Sequence, residues 1–232
     1  MNSPTPFLVA ATMAAPVIGG TPRSATPRTW PRIAEARNGV GCIALLGIFL
    51  TMKQYQIIYA DPPWRYDFSK SNSRKIENQY PTMSTEEICA LAVPSAKDAA
   101  LYLWATAPKL LESLEVMRAW GFAYKSQAVW DKRKIGMGYW FRGQHEILLV
   151  GTKGKFSPPE QGKRVGSVFS YTRGKHSKKP DEIRDLISAW YPTCEKLEMF
   201  CRFPAAGWDV FGNQVADTIA LPNDADQATA SK

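Results

Sequence analysis

The chain has 232 residues, of which 45% are hydrophobic, 22% are charged and 12% are aromatic. This composition excludes a disordered, a collagen-like and a disulfide-scaffold protein, and the length predicts one main domain with a sizeable core. Twenty-nine Lys and Arg against 21 Asp and Glu give a net charge of +8. A basic balance favours polyanionic partners but carries no information about specificity.

The cysteines and histidines do not show a metal-binding pattern. No C-x-x-C spacing occurs among the four cysteines, and the chain has only two histidines: Cys42, Cys89, Cys194, Cys201, His145 and His176. Structural zinc sites draw paired Cys and His ligands at short intervals. We therefore predict no metal site and expect reduced, buried thiols.

Residues 1–51 differ in composition from the rest of the chain. Pro, Ala, Thr and Arg dominate up to Arg37, and residues 39–52 then read GVGCIALLGIFLTM. This apolar run is shorter than the roughly 20 residues of a membrane-spanning helix. A secretory signal is the alternative, but no small-x-small cleavage pattern follows the run. We expect a disordered or dispensable leader with Met52 as the functional start, and a protein of the bacterial or phage-infected cytoplasm without a membrane partner.

From Tyr55 onward, strand patterns and helix patterns alternate along the chain. Strands are predicted at 55–60, 99–105, 126–130, 146–151, 165–171, 196–202 and 208–211. Helices are predicted at 84–91 after a Ser84/Glu87 capping box, at 108–120 before Gly121, and at 180–190. This alternation predicts an α/β fold with a mostly parallel sheet flanked by helices, whose ligands bind beyond the carboxyl ends of the strands. We place the domain at 52–216 and expect residues 217–232 to be a flexible tail.

The segment Asp61-Pro62-Pro63-Trp64 directly follows the first predicted strand. Two consecutive prolines remove two backbone donors and keep the loop extended, so the loop offers a carboxylate and carbonyl oxygens as acceptors. A planar aromatic amine could donate both N–H groups, to Asp61 and to the Pro62 carbonyl, with its ring against Trp64. These bonds would make the nitrogen nucleophilic towards a methyl sulfonium, and the carboxylate would stabilise the developing positive charge. A rigid loop with a helix-capping Asp is the alternative.

Seven motifs between Tyr55 and about Val215 occur in the order of a known family. They are ADPPW at 60–64, YPTMS at 80–84, LYLWAT at 101–106, HEILLVGTKG at 145–154, KKPDEI at 178–183, KLEMFCR at 196–202 and GNQ at 212–214. The chain resembles the adenine 6-amino methyltransferases typified by the catalytic subunit of the eukaryotic messenger-RNA methyltransferase, with their phage and bacterial relatives. The resemblance implies a Rossmann-like fold that uses S-adenosylmethionine, with the catalytic motif ahead of most cofactor-binding elements.

The resemblance also implies roles for individual residues. Residues 61–64 would form the target-amine pocket. Five further residues match positions that contact the cofactor: Lys179, Glu198, Arg202, Asn213 and Gln214. Lys179 would lie beside the methionine end, and Glu198 would accept hydrogen bonds from the ribose hydroxyls. A solvated lysine, a surface ion pair and a routine turn are the alternatives for Lys179, Arg202 and Asn213.

Two features of the family have no counterpart in the chain. Ala205-Ala206 stands where the larger relative has His-Asn. The acidic cofactor residue that precedes D-P-P-W in the relative is absent unless Glu35, the one acid of residues 1–51, supplies it. We therefore expect weaker cofactor binding, or a partner chain in a homo- or heterodimer that completes the site.

Residues 125–179 carry 13 Lys and Arg against three acids, and aromatic residues are interleaved with them. Basic loops with aromatic side chains suit a phosphate backbone and an unstacked base. We assign nucleic-acid contacts to Lys132, Arg133, Lys134 and Arg142. Tyr80 and Glu146 are assigned to the target pocket, although core packing or a strand-end cap would explain them equally well.

The sequence therefore predicts an S-adenosylmethionine-dependent methyltransferase that modifies the 6-amino group of adenine in nucleic acid. DNA is favoured over RNA because compact members of the family resemble phage or bacterial DNA modifiers. Three alternatives stay open: an RNA substrate, another planar amine such as that of cytosine or a glutamine side chain, and a catalytically inactive nucleic-acid-binding relative.

Overall fold

The computed structural model describes residues 52–66, 81–138, 140–172 and 178–221. Seven strands form one sheet in the order β5-β3-β4-β2-β1-β6-β7. They are β1 (Tyr55–Ala60), β2 (Ser95–Ala105), β3 (Ala123–Asp131), β4 (His145–Lys153), β5 (Val168–Ser170), β6 (Lys196–Met199) and β7 (Asp209–Phe211). Only β4 runs antiparallel to its neighbours, β2 and β3. The predicted α/β fold with a mostly parallel sheet is confirmed.

Three α-helices lie in the described residues and flank the sheet: α1 (Thr85–Cys89), α2 (Leu110–Ala119) and α3 (Asp181–Trp190). The predicted capping box precedes α1, with the Glu87 N–H donating to Ser84 Oγ at 3.2 Å and the Ser84 N–H donating to the Glu87 carboxylate at 2.7 Å. After α2, Gly121 has a φ of +81°, a left-handed conformation that favours glycine and ends the helix. Acidic residues occupy the first turn of α3, where negative charge interacts favourably with the helix dipole.

The sheet separates two apolar cores. On the side of α1 and α2, Ile58 and Ala60 of β1 pack with residues such as Val116. On the opposite side, Ile57 of β1 packs with Ile183 of α3. A central strand that is covered on both faces is apolar along most of its length, and this explains why β1 was predicted with its observed bounds.

Several predicted boundaries differ from the structure. β6 ends at Met199, three residues before its predicted end, because Phe200 adopts a φ of +62°, which interrupts the extended backbone. β5 is limited to Val168–Ser170, and β2 begins at Ser95, four residues before its predicted start. Exposed Lys97 and Asp98 gave the beginning of β2 the composition of a loop.

The first five residues of the predicted tail, 217–221, contact the rest of the domain. The Gly212 N–H donates to the Asp217 carboxylate at 2.7 Å, and the Thr218 N–H donates to the Val210 carbonyl at 3.0 Å. Leu221 is buried in the core on the side of α1 and α2. The domain therefore extends beyond residue 216, because this segment returns along β7.

The predicted site residues that the structure describes lie at one edge of the sheet. Six strands point in the same direction, so their carboxyl ends meet the amino end of β4 at this edge. Among the residues that the structure describes, no helix is long and apolar enough to cross a membrane. The predictions for the leader at 1–51, for Tyr80 and for residues 222–232 lie outside the described residues.

Candidate active site

Asp61 is the first residue after β1, and its loop is held by backbone hydrogen bonds. The Trp64 N–H donates to the Pro62 carbonyl, and the Met83 N–H donates to the Pro63 carbonyl, both at 2.9 Å. Both prolines are buried, whereas the Asp61 side chain keeps 26% of its surface exposed. A carbonyl oxygen has two lone pairs, so Pro62 retains one acceptor position. The loop thus presents the Asp61 carboxylate from a fixed backbone.

The Trp64 ring anchors this loop to the core. Trp64 is only 4% exposed, and its Nε1 donates to the Trp104 carbonyl at 3.4 Å. The residue also forms an isolated β-bridge with Met83. The target base was predicted to lie against this ring, but the ring has little free surface for a base. A stabilising role for Trp64 agrees better with the geometry.

Lys179 connects two carboxylates that come from different strands. Its Nζ lies 2.6 Å from Asp61 Oδ1 and 3.1 Å from Glu146 Oε2. The other oxygen of Glu146 accepts from Lys132 Nζ at 3.3 Å. Lys179 also lies 5.6 Å from the centre of the Trp104 ring, within range of a cation–π interaction. The four charged residues form a continuous network that we call the Lys179 network.

Charge pairing outweighs burial in the Lys179 network. Burial by itself would lower the pKa of Lys179, but Asp61 and Glu146 raise it above the ordinary value of 10.5. Burial by itself would raise the pKa of Glu146, but Lys179 and Lys132 lower it below 4.5. Both groups are therefore ionised at neutral pH, and they keep their partners oriented.

A second ion pair lies at the carboxyl end of β6. Arg184 Nη1 donates to Glu198 Oε2 at 2.7 Å and to the Phe203 carbonyl at 2.8 Å. The other guanidinium nitrogen, Nη2, donates to Asp181 at 3.0 Å. The Arg184 and Glu198 side chains are only 10% and 13% exposed. Burial raises the pKa of Glu198, although Arg184 acts in the opposite direction.

Sequence reasoning missed Arg184. The residue lies on α3 directly after Ile183, which is part of the apolar stripe of the helix. A buried charge at such a position usually requires a partner of opposite sign. The partner, Glu198, lies on another element. The sequence pattern can therefore indicate that Arg184 needs an acidic partner but cannot identify that partner.

A cleft lies between the two ion-pair clusters. Seven of the residues that line it are charged: Asp61, Lys178, Lys179, Asp181, Arg184, Glu198 and Arg202. Three of the predicted cofactor residues, Lys179, Glu198 and Arg202, are thus brought together beside the predicted catalytic Asp61. The positive φ of Phe200 is located where β6 turns towards Arg202.

Asn213 and Gln214 follow β7 at the same edge of the sheet. Asn213 is 7% exposed, and within the described part of the chain its Nδ2 has no hydrogen-bond partner. A buried donor without an acceptor is costly, which makes Asn213 a candidate ligand-binding residue. The backbone directly before Asn213 packs closely against Cys201. A Cβ at position 212 would lie 2.1 Å from the Cys201 carbonyl oxygen, so this contact requires glycine.

The predicted nucleic-acid contacts all lie in the segment between β3 and β4. Lys132 is partly buried and belongs to the Lys179 network. Arg133 is exposed and its Nε donates to Ser170 Oγ at 2.8 Å, whereas the Nε of exposed Arg142 donates to the Gly136 carbonyl at 3.0 Å. Lys134 is also exposed. Three of the four cations can therefore reach solvent beside the cleft.

Comparison with known proteins identifies similar sequences. The MT-A70 family profile matches residues 55–214. The type II methyltransferase M.MunI of Mycoplasma sp is 37% identical over 195 residues, which cover 75% of this chain and 83% of the relative. An MT-A70-like N(6)-adenosine-methyltransferase of Arabidopsis thaliana is 30% identical over 69% of this chain and 24% of the relative. The catalytic subunit METTL3 of Homo sapiens is 28% identical over 70% of this chain and 28% of the relative. The chain thus spans about a quarter of the length of these two eukaryotic relatives.

Proposed function

The chain belongs to the MT-A70 family of methyltransferases, and from this premise we propose that it methylates the 6-amino group of adenine in DNA with S-adenosylmethionine. The observation that carries the proposal is the position of Asp61. Its carboxylate lies at the carboxyl end of β1, 2.6 Å from Lys179, in a cleft that also contains Glu198 and Arg202. Ligands of parallel α/β sheets bind at such strand ends.

The residues of the cleft fit S-adenosylmethionine. Lys179 offers a cation for the carboxylate of the methionine end, and Glu198 offers acceptor oxygens for the ribose diol. The unpartnered Nδ2 of Asn213 agrees with an amide that gains an acceptor from a ligand. When bound, this cofactor supplies a methyl group attached to a positively charged sulfur.

The Asp61 loop would prepare the adenine amine for attack. In the proposal, one N–H of the amine donates a hydrogen bond to the Asp61 carboxylate. The other N–H donates a hydrogen bond to the free lone pair of the Pro62 carbonyl. These two bonds draw the nitrogen lone pair out of conjugation with the ring. The Asp61 carboxylate also stabilises the positive charge that develops on nitrogen, which is an electrostatic form of catalysis. Lys179, 2.6 Å from Asp61 Oδ1, orients the carboxylate for both tasks.

Two observations favour DNA as the substrate. The chain matches 83% of the length of M.MunI, a type II methyltransferase, and by family analogy such compact members modify DNA. By contrast, it matches only 24% of the N(6)-adenosine-methyltransferase from Arabidopsis thaliana. The exposed cations Arg133, Lys134 and Arg142 are suited to a phosphate backbone.

Identification of the methylated nucleoside tests the proposal. Purified full-length protein is incubated with S-adenosylmethionine carrying a labelled methyl group, and either with DNA that lacks adenine methylation or with RNA. Both nucleic acids are then digested to nucleosides and analysed by mass spectrometry. The proposal predicts labelled N6-methyladenine from DNA. A label on cytosine, or a label on RNA alone, would contradict the proposed substrate.

A calorimetric titration with S-adenosylmethionine separates an enzyme from an inactive relative. An active methyltransferase binds the cofactor in the absence of DNA. A protein that binds DNA but gives no heat of binding with the cofactor would be a nucleic-acid-binding relative without catalysis.

A further inference from the structure

The described residues between β3 and β4 form a hairpin at the active-site edge, held by backbone hydrogen bonds. The Lys132 N–H donates to the Gln144 carbonyl and the Gly136 N–H donates to the Gly143 carbonyl, both at 2.8 Å. A Cβ on Gly138 would lie 2.0 Å from the Phe141 carbonyl oxygen, so the turn requires glycine there. We call the described residues of this segment, 132–138 and 140–144, the β3–β4 hairpin.

The end of the β3–β4 hairpin carries large apolar side chains that are open to solvent. Trp140 is 95% exposed, Phe141 is 90% exposed and Met137 is 86% exposed. These side chains are neighbours in sequence and contribute nothing to either core. A concentrated set of exposed apolar side chains marks an interaction surface.

The charge of the β3–β4 hairpin selects the kind of partner. The hairpin contains four cations, Lys132, Arg133, Lys134 and Arg142, and no acid. A second copy of this chain docked hairpin to hairpin would bring like charges together, which opposes association. Nucleic acid satisfies both features, because phosphates pair with the cations and bases stack on aromatic rings.

The base of the hairpin is joined to the catalytic carboxylate. Lys132 lies 3.3 Å from Glu146, Glu146 lies 3.1 Å from Lys179, and Lys179 lies 2.6 Å from Asp61. The hairpin therefore begins at the edge of the sheet that carries Asp61, so DNA that contacts its aromatic side chains lies beside the cleft.

Asp61 lines a cleft and is followed by two buried prolines, so an adenine that is paired within a duplex cannot reach it without leaving the base stack. We propose that Trp140 and Phe141 insert into the stack of duplex DNA beside the target adenine and hold the adenine in the Asp61 cleft. This inference rests on the proposed function and adds a duplex substrate and a strand-opening element. We call the pair Trp140 and Phe141 the wedge. The wedge is required only when the base must be taken out of a duplex.

Methylation of native and heat-denatured DNA by a Trp140→Ala/Phe141→Ala variant tests the wedge. Because base–aromatic stacking is substantial, the variant should methylate native DNA about tenfold more slowly or worse. On heat-denatured DNA its rate should stay within about twofold of the wild type, since no stack has to be opened. The control is Leu111→Ala, which removes a side chain that is 77% exposed on α2 and should change neither rate. Thermal unfolding confirms that both variants are folded.

A duplex that contains 2-aminopurine reports unstacking without methyl transfer. The wild type should increase its fluorescence, and the double variant should not. Fluorescence that rises equally with both proteins, or an equal loss of methylation on native and denatured DNA, would overturn the wedge. A wild type that is dimeric without DNA, and that the double variant converts to a monomer, would also overturn it in favour of a subunit interface. If the wild type unstacks the duplex through Trp140 and Phe141 but methylates no DNA, the wedge stands and the proposed function fails.

Discussion

Lys179 donates to Asp61 over 2.6 Å although 118 positions separate the two residues in the sequence. The same ammonium group lies 3.1 Å from Glu146 on β4. One buried cation therefore orients the proposed catalytic carboxylate and ties it to the strand that follows the β3–β4 hairpin. Loss of this cation should therefore affect folding and ligand binding together.

The Lys179→Met variant tests the contribution of the cation. It leaves Asp61 and Glu146 without a shared partner, and loss of one member of a buried ion pair costs about 3 kcal/mol. We expect a decrease of that size in the free energy of unfolding in urea, together with weaker binding of S-adenosylmethionine.

Lys178→Met is the matched control for this variant. Lys178 is more exposed than Lys179; it forms an ion pair with Asp181 and lies 5.2 Å from the centre of the Phe203 ring. Its loss should therefore cost less than about 1 kcal/mol. Equal destabilisation by the two substitutions would contradict the role given to Lys179.

The pH dependence of stability follows from the directions of the pKa shifts. The folded-state pKa of Glu146 lies below 4.5, so its contribution is complete above pH 4.5 and is lost as the pH falls through the folded-state value. The folded-state pKa of Lys179 lies above 10.5, so its contribution is complete below pH 10.5 and is lost at more alkaline pH. Unfolding free energies of the wild type and of Glu146→Gln should therefore converge below pH 4.5. A constant difference across that range would show that the ionisation of Glu146 does not stabilise the fold.

Local sequence signals determined much of the fold. The capping box at Ser84 and the buried run of β1 were recognisable because their causes lie within a few residues. The end of β6 was not recognisable, because the positive φ of Phe200 has no local signature in its sequence. Contacts that depend on tertiary packing were the hardest to predict.

In the candidate site, too, residues within local motifs could be predicted, whereas contacts between distant elements could not. Asp61, Lys179 and Glu198 could be selected from motifs, and the structure places all three along one cleft. The pairing of Lys179 with Asp61 and Glu146 could not be predicted, since it joins three distant elements. Trp64 was assigned to the base pocket because its motif suggested a planar surface, but packing buries the ring.

Arg184→Gln tests how Glu198 is kept ionised. Burial raises the pKa of Glu198 and Arg184 opposes this rise, so removal of Arg184 should raise the pKa further. A protonated Glu198 has lost acceptor capacity for the ribose diol. We expect affinity for S-adenosylmethionine, measured by calorimetry between about pH 5 and 8, to fall at a higher pH in the variant than in the wild type.

The control for Arg184→Gln is Asp185→Asn, which changes the neighbouring, exposed residue of the same helix. Its affinity profile should match that of the wild type. If Arg184→Gln lowers the affinity equally at every pH, Arg184 acts through structure alone and not through the ionisation of Glu198.

Gly212→Ala tests the close approach of two segments beside Asn213. The added Cβ would lie 2.1 Å from the Cys201 carbonyl oxygen, so one backbone segment has to move. Overpacking of this kind costs about 1–3 kcal/mol, and the displacement of Asn213 should weaken cofactor binding. At Gly166 a Cβ would have no atom within 4 Å. Gly166→Ala should therefore leave the unfolding midpoint and the affinity unchanged, and a Gly212→Ala variant with the same behaviour would show that the contact is not restrictive.

The rate of methyl transfer to DNA by Asp61→Ala, measured beside its affinity for S-adenosylmethionine, tests the central role of this carboxylate most directly. The account predicts that methyl transfer is abolished, while the cofactor still binds and the protein unfolds cooperatively. Methylation of adenine by Asp61→Ala at the wild-type rate would contradict it.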